Sequence, residues 1–139
     1  MVRRAAEICR LPVAEELAIN IVFAGERAMA RINRDFVGHE GVTDVITFNY
    51  LECKDELKNG DMAVELVICP DVAVSEGGRR ENSSYAEEVT LYIVHGFLHC
   101  SGFDDLESDE RRKMRHAERR VMKQLKTEFV LAEIFPQQS

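Results

Sequence analysis

Residues 84 to 100 impose the strongest constraint on how this chain can fold. Ser84-Tyr85-Ala86-Glu87 has the S-x-x-E form of a capping box, in which the first hydroxyl accepts a hydrogen bond from a backbone N–H three residues on. Val89, Tyr92, Ile93, Phe97 and Cys100 then recur at intervals of three and four. The pattern predicts a buried helix from Tyr85 to Cys100. Gly102 stands where a left-handed residue ends such a helix.

Other elements are legible around it. Glu16 to Ala24 alternates Leu17, Ile19, Ile21 and Phe23 on one side, the period of a half-buried strand. Asp44 to Tyr50 is rich in β-branched and aromatic residues and reads as a second strand. Met62 to Ile68 is nearly continuous in apolar residues and so predicts a central third strand. Short helices are expected over Val2 to Cys9, Glu26 to Phe36, and Pro70 to Gly78, the last broken by Gly77-Gly78. Glu52 to Gly60 is charged, ends in Asn59-Gly60-Asp61, and reads as an exposed connection. A final helix spans Ser108 to Lys126, with Met114, Val121, Met122 and Leu125 on its apolar side. The order implies an α+β fold: a small mixed sheet covered by helices on one face. One domain is expected over residues 1–139, since nothing marks a second core or a long linker.

The four cysteines (Cys9, Cys53, Cys69, Cys100) lack C-x-x-C spacing and sit mostly among apolar neighbours, as core thiols do in a reducing compartment. No apolar run approaches the roughly 20 residues of a membrane span, and the start lacks a secretory pattern. A cytoplasmic protein without a membrane partner is expected. The net charge of -7 argues against broad binding to nucleic acid, but Glu110 to Lys126 holds eight basic and two acidic residues. A solvated helix side is the ordinary reading of such a run, with a phosphate-facing patch as the alternative.

The helix also carries chemistry. His95 and His99, four apart, project from one face and can grip one cation. Asp105 follows six residues after His99, beyond the reversal that Gly102 permits. This is the spacing of the extended zinc-peptidase motif H-E-x-x-H-x-x-G-x-x-H, with Asp105 in the last ligand position. A carboxylate oxygen binds zinc at nearly the distance of an imidazole nitrogen, so His95, His99 and Asp105 form a candidate three-ligand site with one position open to water. Two histidines satisfied by core hydrogen bonds would not require Gly and Asp in register. Asp104 is the alternative third ligand. His116, in the basic helix, is read as a surface residue or a partner that orients a ligand. Cys100 would point about 100° away from His99 and is read as packing. Gly96 occupies the position where the peptidase motif places its general-base glutamate, which argues against peptide hydrolysis.

These residues resemble the YbeY family of bacterial endoribonucleases, also called rRNA maturation factors. The family signature H-G-x-L-H-x-x-G-[FY]-D-H is met by His95, Gly96, Leu98, His99, Gly102, Phe103 and Asp104, with Asp105 where the family has its third histidine. Asn33, Phe36, Thr43-Asp44-Val45 and Phe48 are similar to the N-x-x-[YF] and T-[DN]-V-L-S-F stretches. Val67 to Ala73 resembles the strand-to-helix segment, and Met114 and Glu118 match M-x-x-x-E. The likeness covers roughly Ile19 to Glu118. It implies an α+β fold, one divalent ion with Zn2+ expected, and hydrolysis of single-stranded RNA in 16S rRNA 3′-end maturation and ribosome quality control. Expected partners are therefore the rRNA precursor, ribosomal particles and ribosomal proteins.

Three departures stand out. Asp105 adds negative charge at the metal and shifts preference toward harder ions. Val37 occupies the position of an arginine that serves the phosphate in the family; Arg34, one helical turn earlier, is the substitute candidate for phosphate contact. The chain also starts at the helix that the family's opening strand precedes. No side chain is assigned as catalytic acid or base, and Glu118 is the candidate for orienting a ligand histidine. Two rival functions remain: a ribosome-assembly RNA-binding factor with little catalysis, and a zinc metallopeptidase.

Overall fold

The computed structural model describes residues 1–137, with the backbone alone at Lys54. In chain order the elements are α1 (Val2–Ile8), β1 (Ala18–Phe23), α2 (Glu26–Ile32), a π-helical turn (Asn33–Val37), β2 (Val45–Asn49), a 3₁₀ turn (Leu51–Glu56), β3 (Met62–Ile68), α3 (Pro70–Arg79), α4 (Tyr85–Cys100), α5 (Ser108–Glu128) and α6 (Leu131–Ile134). The sheet runs β1-β3-β2, with β3 parallel to β1 and antiparallel to β2, so the fold is α+β with a mixed sheet. Among the described residues no helix is long and apolar enough to cross a membrane.

β3 is central because both of its faces are covered. Val64, Leu66 and Ile68 join the core built on α4, where Val89, Ile93, Val94 and Phe97 are fully buried. Val67 points the other way, into a smaller cluster with Ala24, Met29, Ile46 and Cys69. Strand alternation separates the two sets. Helices are expected on one face only; instead α2 also covers a corner of the second face, where Val67 and Ile46 bury against Met29 while Glu65 on the same side stays half-exposed. Fully burying a side chain such as Phe97 contributes about 1.5–3 kcal/mol, so α4 is the main anchor of the layer.

The Ser84 cap forms as expected, its hydroxyl accepting from the Glu87 N–H at 3.2 Å. α5 presents Met114, Ala117, Val121 and Leu125 to the core. Two expectations are corrected. Gly77 and Gly78 do not break α3, which continues to Arg79. Gly77 is instead a close approach: a Cβ there would lie 2.7 Å from the Tyr85 nitrogen and 2.8 Å from the Ser84 carbonyl carbon. α2 ends at Ile32 rather than Phe36: the chain widens into a π turn closed by Gly38, which takes φ of 79° and donates its N–H to the Asn33 backbone carbonyl, while the buried Asn33 side-chain amide donates to the Gly41 carbonyl at 3.0 Å. Cys53 is exposed, while Cys9 and Cys69 are buried.

Gly96 lies where α4 crosses the sheet. A Cβ at this position would stand 2.6 Å from Leu66 Cδ2 and 2.9 Å from Thr47 Oγ1. Leu66 is fully buried and has little room to yield. Gly96→Ala is expected to lower stability by about 1–3 kcal/mol through overpacking, read as a shift of the urea midpoint at constant slope. An unchanged midpoint would show that the helix lifts off the sheet without cost.

Candidate metal centre

Helix periodicity places His95 and His99 one above the other on the face of α4 that looks toward the start of β2. Their Nε2 atoms are 3.1 Å apart. Asp105 Oδ2 lies 3.5 Å from the first and 3.6 Å from the second. Ligands of a tetrahedral ion at bond lengths of about 2.0–2.1 Å sit about 3.3 Å from one another, so the three donors have the separations of one shared coordination sphere. This group could hold an ion.

Asp105 arrives there through the ending of α4. The Phe103 N–H bonds the Leu98 carbonyl at 3.0 Å and the Gly102 N–H bonds the His99 carbonyl at 3.2 Å, the two bonds of a Schellman motif. Gly102 takes φ of 109°, which a side chain would resist. Phe103 packs in the same apolar cluster as Leu98. The chain thus doubles back over the last helical turn and delivers the next acidic pair. Asp104 is exposed and accepts the Asp105 N–H at 2.7 Å, which leaves Asp105 as the carboxylate beside the histidines.

Glu118 of α5 meets the far side of His95, its Oε1 2.8 Å from Nδ1. A carboxylate there holds the proton on Nδ1 and leaves Nε2 with its lone pair toward His99 and Asp105, the arrangement that orients metal-binding histidines. Burial works against charge on His95, but the hydrogen bond its Nδ1 donates to Glu118, the negative charge of that carboxylate and those of Asp105 and Asp44 outweigh it and hold the pKa above the usual 6.5. The ring is therefore a basic, well-oriented donor.

Two adjoining concavities, of about 340 and 490 Å³, meet at this point and share Thr43, Asp44 and His95. Val37 and His39 line the first, together with His99 and Asp105. Arg79, Arg80 and Arg115 line the second. Arg80 is tethered by Glu76 at 3.2 Å and by the buried Glu88 at 3.1 Å. Arg115 has no ion-pair partner among the described residues. Tyr92 lies on the same wall, 4% exposed, with its hydroxyl unpartnered. Burial, reinforced by Glu88, raises its pKa and keeps it a neutral donor.

The remaining sequence candidates fall elsewhere. Arg34 is exposed, pairs with Asp35 at 3.1 Å, and does not line either concavity. His116 is exposed on α5. Cys100 is half-buried against the core, and burial pushes its thiol up to about 11. Sequence reading missed His39, a single polar residue in a loop with no periodic signal. It also gave Asp44 no role, although that residue anchors β2 by accepting the Val45 N–H at 2.7 Å and adds charge beside His95.

Comparison with known proteins gives the family. The model of the family described as "Endoribonuclease YbeY" matches residues 2–126. An endoribonuclease YbeY of Chlorobaculum tepidum is 37% identical over 113 residues, covering 78% of this chain and 77% of that protein. Its counterpart in Thermosipho melanesiensis is 32% identical over 103 residues, covering 74% and 69%. A solution structure of a Thermotoga maritima protein shares the fold, with a TM-score of 0.54 at 22% identity over 99% of this chain and 89% of that one. With the H-G-x-L-H-x-x-G-F-D signature folded around a common cleft and the match spanning nearly the whole chain, this protein belongs to the endoribonuclease YbeY family.

Proposed function

We propose that this protein is a metal-dependent endoribonuclease that cuts single-stranded RNA in 16S rRNA 3′-end maturation and ribosome quality control, with His95, His99 and Asp105 holding one divalent ion. Family membership makes it a hydrolase of RNA phosphodiester bonds. The observation that carries the metal reading is the set of three donors 3.1–3.6 Å apart, one of them backed by a carboxylate. Zn2+ is the first candidate for a site of two imidazoles and one carboxylate. The chemistry such an ion supplies when bound is Lewis acidity toward a phosphoryl oxygen and activation of water near neutral pH.

The chain's own residues do the rest. Glu118 keeps the proton of His95 on Nδ1. Arg115 and Arg80, on the wall beside His95, face the charge of an RNA backbone laid across the cleft. Ribosomal particles and ribosomal proteins are the partners this reading implies, in the cytoplasm, with the 139 residues acting as one catalytic domain.

Two rivals are weighed by particular residues. Val37 on the cleft wall favours an RNA-binding assembly factor with weak catalysis, because an apolar side chain cannot neutralise a phosphate. A metallopeptidase lacks its base: position 96 faces Leu66 and Thr47 rather than the ligands. The test is cleavage of a labelled single-stranded RNA by the purified protein. EDTA is expected to abolish it and added Zn2+ or Mn2+ to restore it, with duplex RNA resistant. Cleavage that persists in EDTA would overturn the metal reading, and binding without cleavage under every metal would favour the assembly factor.

A further inference from the structure

Between its acidic ends, α5 turns the middle of its solvent side into a cationic surface. Lys113, Arg115, Arg119, Arg120 and Lys123 are all exposed, and among the described residues none has an ion-pair partner. Only the flanking Arg112 and Lys126 are paired, to Asp109 at 2.6 Å and Glu87 at 3.2 Å. A merely solvated helix face mixes signs at spacings of three and four. Here one 17-residue segment holds eight of the 18 basic side chains and two of the 25 acidic ones. The rest of the chain is correspondingly acidic, so the positive field is confined to this face.

The surface is also continuous with the cleft. Arg115 and Glu118, on the wall beside His95, line the adjoining hollow as well, and Arg119 lies on the border between that hollow and a groove of about 570 Å³. Lys113, His116 and Arg120 form the sides of the groove, and Phe103, half-buried two residues before Asp105, closes one end. Cations along a backbone path together with an aromatic face are the two elements of single-stranded nucleic-acid binding.

We infer that a single-stranded RNA leaves the metal cleft over Arg115 and Arg119 and runs in the α5 groove, its phosphates on Lys113, Arg119 and Arg120 and one base against Phe103. This rests on the endoribonuclease reading and adds the route of the substrate to it. Binding would order the strand through contacts that read the backbone rather than the sequence.

The test measures binding of a labelled 12-nucleotide single-stranded RNA in EDTA, by fluorescence anisotropy, across a range of salt concentrations. Each lost phosphate contact on a single strand reduces the log–log salt slope by about 0.7, so the triple variant Lys113→Gln, Arg119→Gln, Arg120→Gln is expected to show a slope shallower by about 2 and an affinity about 10- to 100-fold weaker at 0.1 M salt. A control with the same charge change elsewhere on the surface, Arg10→Asn, Arg27→Gln, Lys58→Gln, is expected to keep the wild-type slope. Equal losses in both variants, or an unchanged slope in the first, would overturn the track; the second result would assign the groove to another anionic partner, such as an acidic protein. Cleavage of the same RNA by the wild type with metal present reads the endoribonuclease function separately. A protein that binds with an α5-dependent slope but never cleaves would sink that function and leave the track.

Discussion

Replacing His95 and His99 together with alanine is expected to remove the bound divalent ion and lower RNA cleavage by at least about 10³-fold, because metal polarisation of a phosphoryl oxygen contributes several kcal/mol to the transition state. Both side chains are about 30% exposed and open to the cleft, at 27% and 31%, so their loss leaves the core of α4 intact. Far-UV circular dichroism and the thermal midpoint should therefore change little. Metal content by mass spectrometry and cleavage of a single-stranded oligonucleotide are the readouts. Stoichiometric metal in the double variant would place the ion elsewhere.

The second large effect is expected at Glu118, which touches no donor atom of the site except through His95. Its carboxylate fixes which imidazole nitrogen carries the proton, and loss of such a partner costs about 10- to 100-fold in metal affinity. Glu118→Ala is expected to show that loss in competition with a chelator of known affinity. Glu118→Gln, which still accepts from Nδ1 but lacks the charge, should recover part of it. Equal affinities in the wild type and both variants would mean that the 2.8 Å contact leaves His95 no better a ligand.

The parts of this fold that sequence reveals are those in which a short-range pattern has one physical solution. α4 is such a case, since a capping box, apolar residues at three and four, and a following glycine agree on both ends of one helix. β3 is another, as an apolar run interrupted only by Glu65 needs cover on both sides. His95, His99 and Asp105 were legible because helix periodicity and one reversal set their separation. Gly77 shows the opposite: glycine serves as a breaker and as a contact point, and only the packing of α3 against the start of α4 tells which. The π turn after α2 is closed by a left-handed Gly38 and sits beside an Asn33 side-chain bond that reaches eight residues on, neither of which a helical period encodes. His39, Arg80 and Arg115 come to the cleft from three separate elements, and no local spacing connects them. The basic run in α5 was plain as composition, but its continuity with the metal cleft is a matter of tertiary placement.

The reversal after α4 bears on how an ion would exchange. Because the Leu98–Phe103 and His99–Gly102 hydrogen bonds and the Phe103 packing set the path of the chain, Asp105 is held beside the histidines by the polypeptide itself. Coordination then demands little new ordering of the backbone, unlike sites whose ligands gather only when the metal folds them. A centre so built would load and empty with little movement of its ligands, and the ion it took would then be set by the pool around the protein as well as by those ligands.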